Sequence, residues 1–364
     1  MTRGYVRASC GETGSIYEGR INMTSSDGQT QDHAVVQSDR LERSSLSRYA
    51  RRSGLQIAIV GVMLLVWLLF VIGAPTTFLS SEIYAAYMSV IPFFAVIALP
   101  LTMVIIAGEI DLSFPSIMAI SVVVFVNVFK MTGSVFPALI AALAVGFLVG
   151  LSNGIIVVKL GIPSIVTTIG TQFFWRGVVL VVTGGAGASL VKARWDVWYH
   201  ILVGRLGGYV PAQMIWTIIV AVLTWLFLNR HRFGASVYLI GDNEDSARLM
   251  GVNVDRTRMM VFAIVGVAAA FGGILASLEL SYFWPTLGEG YLLRTLASVF
   301  LGGTSVFGGT GTIFGTFIAC FIIGAIEAGI VAIGLTGFWT QLIYGVIIVV
   351  SVSIQVVVNR RLEA

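Results

Sequence analysis

Lysine is nearly missing from this 364-residue sequence. Only Lys130, Lys159 and Lys192 are present, and none follows a glycine. A phosphate-cradling loop of the G-x-x-x-x-G-K-[ST] type is therefore impossible, and nucleotide hydrolysis by this chain is not expected. Cysteine is as scarce. Cys10 lies in a polar stretch and Cys320 in an apolar one, so no disulfide framework is readable. His33, His200 and His231 are far apart, which leaves metal binding without support. Charge is scarce overall: Asp, Glu, Lys and Arg make up 11% of the residues, against about 25% in a soluble domain. With 57% hydrophobic residues, the chain is a membrane protein. No stretch interleaves basic and aromatic side chains, so the net charge of +4 reflects basic residues flanking the membrane and not a nucleic-acid surface.

What is abundant comes in blocks. Apolar runs cover 55–73, 83–107, 114–129, 135–158, 162–182, 214–228, 259–278, 295–326 and 328–358. A helix needs about 20 apolar residues to cross a bilayer, so the longest runs fold back on themselves. Splitting them at Gly, Pro and polar clusters gives about ten spans. The 41 glycines permit close helix approach and interrupt helices where a path or cavity is needed. The expected fold is an all-α polytopic transmembrane bundle with interrupted helices. Residues 1–47 are polar and too poor in apolar side chains to order themselves; with no apolar core near Met1, no signal peptide is expected. They read as a disordered cytoplasmic tail, and residues 48–364 as the transmembrane domain.

Arginines set the orientation. Arg48, Arg51 and Arg52 precede the first run, which puts the N-terminus in the cytoplasm, and ten spans return Arg360 and Arg361 to that side. The loop 229–258, with Arg230, Arg232, Arg248, Arg256 and Arg258, is then cytoplasmic. The loop 183–211, with Trp195, Trp198 and Tyr199, is external and suits the outer interface. Within the cytoplasmic loop Asn243 is an N-cap for a short helix through Glu244, Ala247, Arg248, Leu249 and Met250, ended by Gly251. Glu244 and Asp245 favour its first turn, and Arg248 can pair with Glu244 at i,i+4. Such a helix is either a plain re-entry turn or a plug that docks on a cytoplasmic partner. A charge beside an apolar knob favours docking.

Two acids stand out. From Ile83 to Phe129 the only charged side chains are Glu109 and Asp111, in "AGEIDLSFPS". Asp111 or Ser113 can cap the apolar helix that comes next, with Pro115 tolerated in its first turn. Glu109 has no such duty. A carboxylate at membrane depth costs about 2.5–3.5 kcal/mol on insertion scales and usually faces a partner or a wet cavity. A carboxylate also accepts hydrogen bonds from two sugar hydroxyls at once, and a proton relay is the rival use. The stretch "LGGTSVFGGTGT" carries a second polar break, Gly302, Gly303, Thr304 and Ser305. Placing Gly108 on Gly303 aligns 104–108 with 299–303, and paired interrupted helices point to a transporter's central site. Arg176, in "FFWRGV", either snorkels to an interface or pairs with a carboxylate.

Four stretches carry a resemblance: "AGEIDLSFPSI" (107–117), "GLSNGIIVVKLGIPSIVTTIGTQFFWRGV" (150–178), "GASVYLIGDNEDSARLMGVNVDRTR" (234–258) and "LASVFLGGTSVFGGTGTIFGT" (296–316). In order and spacing the chain resembles the membrane permeases of ATP-binding-cassette sugar importers, the ribose, xylose, arabinose and galactose group, over about residues 55–358. Glu109 and Pro115 replace glycines of that pattern, and "IPSIV" stands for its I-P-P-F-I. The resemblance implies a permease pair, identical or not, two cytoplasmic ATP-binding subunits and a periplasmic sugar-binding protein, in a bacterial inner membrane. It makes 241–251 a coupling helix that sits in a groove of the ATPase. Glu109, Asp111, Ser113, Asn153, Arg176 and the 302–305 break are the expected substrate path, with no cofactor. The same architecture carrying a nucleoside or vitamin-like solute stays open, as does an ion-coupled carrier.

Overall fold

The computed structural model describes residues 56–334 and 337–363, with side chains through 357. The tail 1–47 and Arg48, Arg51 and Arg52 fall outside these residues. The described residues are mostly helical. In order come α1 (Gln56–Gly73), α2 (Pro75–Phe78), α3 (Ser81–Val90), α4 (Pro92–Ile106), α5 (Phe114–Thr132), α6 (Val135–Leu160) and α7 (Ser164–Thr183). Next are α8 (Val197–Val203), α9 (Ala212–Arg230), α10 (Arg232–Asp242), α11 (Glu244–Leu249), α12 (Val254–Glu279), α13 (Leu292–Leu301), α14 (Ile313–Ala332) and α15 (Phe338–Glu363). Two tiny antiparallel pairings, 188–189 with 282–283 and 205–206 with 210–211, fasten the long loops.

Among the described residues eight helices are long and apolar enough to cross a membrane, or nine with α3 and α4 taken as one span bent by 52°. The expected count of about ten thus becomes eight or nine among the described residues. Helix α13 has ten residues and reaches only about 15 Å. Short turns flank it on both sides: Tyr291, ending the 3-10 turn Glu289–Tyr291, packs edge-on against Phe93 in the first turn of α4, and Gly309, after α13, donates to the carbonyl of Ile106 at the end of α4. The 280–312 segment therefore runs the whole length of α4 beside it.

The bundle is apolar outside as well as inside. Helix α4 is buried along its entire length, and α5 and α12 are mostly buried. Helices α1, α7 and α15 lie at the periphery and expose Ile57, Val166, Phe173, Val181 and Val349. An apolar exterior of this breadth is stable only against lipid or another apolar partner. In the interior, α6 and α12 approach until their backbones touch. A Cβ on Gly146 would meet the carbonyl of Gly266, and one on Gly266 would meet that of Gly146. Only glycine fits both sides of that crossing.

The two ends of the bundle are distinct. One end carries α10, α11 and the start of α12, with Lys159 on α6 held 3.7 Å from Asp255. The other carries the 184–211 loop, where Asp196 caps α8 and also accepts from the Val135 N–H at 2.8 Å. Trp195 projects freely there, and Trp198 stacks on Phe136.

Candidate functional site: two helix breaks and a charged hub

The breaks after α4 and α13 are built by the same hydrogen bonds. Ala107 donates to Met103, Gly108 to Ile105 and Glu109 to Val104; Gly302 donates to Ser298, Gly303 to Phe300 and Thr304 to Val299. Gly108 and Gly303 hold φ of 81° and 84°, a region that side chains with a Cβ avoid. The short alignment of 104–108 on 299–303 is thus a backbone correspondence. The two breaks also touch, through Gly309 N–H on the Ile106 carbonyl and through Thr102 and Thr316, whose hydroxyls are 2.8 Å apart.

Sequence-expected polar residues meet at the first break. Asp111 is fully buried, and its Oδ1 accepts from both the N–H and the Oγ–H of Ser113, at 2.7 and 2.6 Å. Ser113 occupies the N-cap position of α5 but its side chain does not cap; Asp111 instead braces the turn just before the helix. From α6, Asn153 Nδ2 donates to Ser113 Oγ at 2.7 Å. The backbone of the break is satisfied by α7: Ser164 Oγ accepts from Ile110 N–H and Thr168 Oγ1 donates to the Ile110 carbonyl. These two residues were not singled out by sequence. Their only signal is a pair of hydroxyls one turn apart, common in membrane helices.

At the second break, Gln355 on α15 donates to the carbonyls of Phe300 and Thr304 at 3.2 and 3.1 Å. Ser305 N–H bonds Thr310, and Ser305 Oγ accepts from Phe307 N–H. Among the described residues Asp111 Oδ2, Asn153 Oδ1 and Thr304 Oγ1 are buried oxygens with no hydrogen-bond partner. Buried oxygens are normally satisfied. Gln355 Oε1 is a fourth, and an apolar bundle that keeps such atoms near its breaks has places for hydroxyl hydrogens.

Glu109 goes elsewhere. Its side chain is buried against Arg258, whose Nε lies 2.9 Å from Glu109 Oε1 without a directed hydrogen bond. The same guanidinium holds Glu244, the first residue of α11, at 2.7 Å. Glu244 also pairs with Arg248 at 2.9 Å, and Arg248 reaches Asp255 at 3.1 Å. Burial pushes the Glu244 carboxyl upward, but Arg248 and Arg258 outweigh it and hold the group below its ordinary value. A carboxyl held below its ordinary value is charged at neutral pH, so Glu244 keeps its part in this network there. Arg258 was legible in sequence only as one basic residue of a loop.

Helix α11 forms as its sequence dictates. Asn243 Oδ1 accepts from Ser246 N–H at 2.8 Å, Gly251 comes after it with φ of 80°, and Ala247 is buried against Ile240 and Val254. Leu249 and Met250 point outward, 90% and 69% exposed. Arg176 neither snorkels nor reaches the breaks' carboxylates. It donates to the carbonyls of Pro115, Pro285 and Leu287 and pairs with Glu289 at 3.4 Å, pinning the 284–289 loop onto the first turn of α5.

Residues 83–352 match the family described as branched-chain amino acid transport system, permease component. This chain belongs to that permease family. The permease is 33% identical over 262 residues to the ribose import permease protein RbsC of Escherichia coli, covering 71% of this chain and 81% of that one. It is 31% identical over 259 residues to the ribose import permease of Bacillus subtilis, 70% of this chain and 79% of the other. To the autoinducer 2 import system permease protein LsrC of Yersinia pestis it is 30% identical over 291 residues, covering 80% and 81%. No solved structure matches it significantly. The resemblance drawn from the four stretches is borne out: the chain is a multi-pass permease subunit of an ATP-binding-cassette importer, and its work is transport and not catalysis.

Proposed function

We propose that this permease imports a monosaccharide or related polyol across the bacterial plasma membrane, as half of a permease dimer. The observation that carries the cargo reading is a pair of identically built breaks, joined where Gly309 bonds Ile106, that keep the buried oxygens of Asp111, Asn153 and Thr304 without a partner among the described residues. A hydroxylated solute offers the hydrogens these acceptors lack. Ser113 and the 302–305 turn shape the same place, Arg176 holds the loop above it, and Glu109 lies at its edge nearest α11. The names of the similar permeases, two for ribose and one for autoinducer 2, support a small polar cargo.

Energy comes from separate cytoplasmic ATP-binding subunits that dock on α11 (Asn243, Glu244, Ala247, Arg248, Leu249, Met250 and Gly251), and solute from a periplasmic binding protein. A short capped helix with two exposed apolar residues beside an arginine has the chemistry of a knob for a groove. On this reading both termini are cytoplasmic, with 1–47 a cytoplasmic tail and 48–364 the transmembrane domain.

Uptake of labelled D-ribose, D-xylose, glycerol and uridine by proteoliposomes holding the complete transporter tests the cargo. Transport of a sugar or polyol in preference to uridine is expected; the reverse order would sink this reading. For docking, Arg248→Glu with Met250→Asp is expected to abolish ATP-driven uptake at normal membrane levels. Wild-type uptake in that variant would remove α11 from the interface. Cysteines at Ser189 and Ser246 in a cysteine-free background are expected to label from opposite faces of the membrane. Labelling of both from outside intact cells would reverse one of these placements.

A further inference from the structure

We propose that Arg258 is a positioning residue that carries movement of α11 to the break after α4, with Glu244 as its input and Glu109 as its output. Arg258 sits on the second turn of α12 with only 20% of its side chain exposed, and Glu109 has 10%. Among the described residues, its guanidinium is the one group in contact with carboxylates of both segments, at 2.7 and 2.9 Å. Separating Arg258 from Glu109 leaves a poorly hydrated charge behind, and Glu244, 36% exposed, joins them through the closer of the two contacts, so the three groups move together. The elements they join are fixed to different structures. Glu244 begins α11, whose own packing is the small cluster of Ala247 with Ile240 and Val254. Glu109 is bonded through its N–H to Val104 and precedes Ile110, which α7 grips through Ser164 and Thr168.

A small apolar cluster gives way cheaply, whereas a buried charge contact does not. Displacement of α11 is therefore passed to residues 107–113 and, through Asp111 and Ser113, to Asn153 on α6. This assigns Glu109 to the transmission of movement and not to the solute. It also gives a reason for an acid where the resembling pattern has glycine, which could make no such contact.

The inference rests on the docking of α11 proposed above, and its test separates the two. A Leu112→Cys reporter in a cysteine-free permease, assembled with its ATP-binding subunits in proteoliposomes, is labelled with a maleimide before and after vanadate trapping. The labelling rate is expected to change about five-fold or more in the otherwise unaltered protein, as a shift between two populations requires. In Arg258→Gln, Glu109→Gln and the double variant the change should fall below about two-fold, and the double should be no worse than either single. Arg258→Lys, which keeps a charge, should restore part of it. Rates are normalised to permease in the membrane, and hydrolysis by the partner subunits is followed in parallel. An unaltered response in Arg258→Gln or Glu109→Gln, additive losses in the double variant, or no response in the reporter protein would each overturn the relay. A full response in Arg248→Glu with Met250→Asp would instead overturn docking, while a silent docking variant beside a responsive Arg258→Gln would overturn the relay alone.

Discussion

After α4 the chain turns at Gly108 and presents Glu109 and Asp111; after α13 it turns at Gly303 and presents Thr304 and Ser305. The turns share their backbone bonds, residue for residue. Their side-chain ties differ. The first break is tied by charge to Arg258 and by hydroxyls to α7, while the second is tied by the neutral amide of Gln355 to α15. A cap made of backbone groups asks only for glycine at one position, so the side chains beyond it are free to diverge. One break has become ionic and answers to α11; the other has stayed neutral and answers to a peripheral helix.

That contrast can be broken at several points. The largest effect is expected from Asp111→Leu, which strands the N–H and hydroxyl of Ser113 inside the bundle, at about 1–3 kcal/mol for each unsatisfied group. Membrane levels and uptake should both collapse, and Asp111→Asn, which keeps the accepting oxygen, should recover the levels. Normal levels for the leucine variant would mean the bracing of Ser113 is dispensable. Next in size, Gly108→Ala and Gly303→Ala should each lower stability by about 1–2 kcal/mol, because both sit at left-handed φ. Thermal unfolding of purified permease checks this, and a loss at only one of the two would end the equivalence of the turns.

Gln355→Leu should cost about 1 kcal/mol by removing donors to two carbonyls. The nucleotide-dependent labelling at Leu112→Cys should nonetheless survive. A lost response there would show that the neutral break also takes part in transmission. Smallest in stability is Thr304→Val. Its hydroxyl has no protein partner among the described residues, so its removal strands nothing and should shift stability by less than about 0.5 kcal/mol. Solute KM should rise while maximal rate per permease is kept; an unchanged KM would take Thr304 out of the path.

Much of this arrangement was legible in order along the chain. Asn243, the acids of its first turn and Gly251 specify α11 through contacts a few residues apart, which is why the structure returns them as read. The glycines at 108 and 303 marked both breaks for the same local reason. Glu109 was visible as an anomaly, an acid amid apolar residues, but its partner Arg258 lies far along the chain, and no periodicity links them. Arg176 had two readings in sequence, and the structure bears out the second: it pairs with Glu289, while the carbonyls of Pro115, Pro285 and Leu287, which no sequence signal announced, complete its partners.

The sequence alone determined that this is a helical membrane protein without a nucleotide-binding loop, where its spans lie and where two of them break, because hydropathy, capping and glycine act over a few residues. Only the tertiary structure decided that α13 and the turns beside it run along α4, that the two breaks touch, and that Glu109 faces Arg258 and α11. Those outcomes depend on which distant groups the packing of α4, α6 and α12 brings within about 3 Å, the reach of a hydrogen bond, and a charge or hydrogen bond chooses its partner by proximity in space.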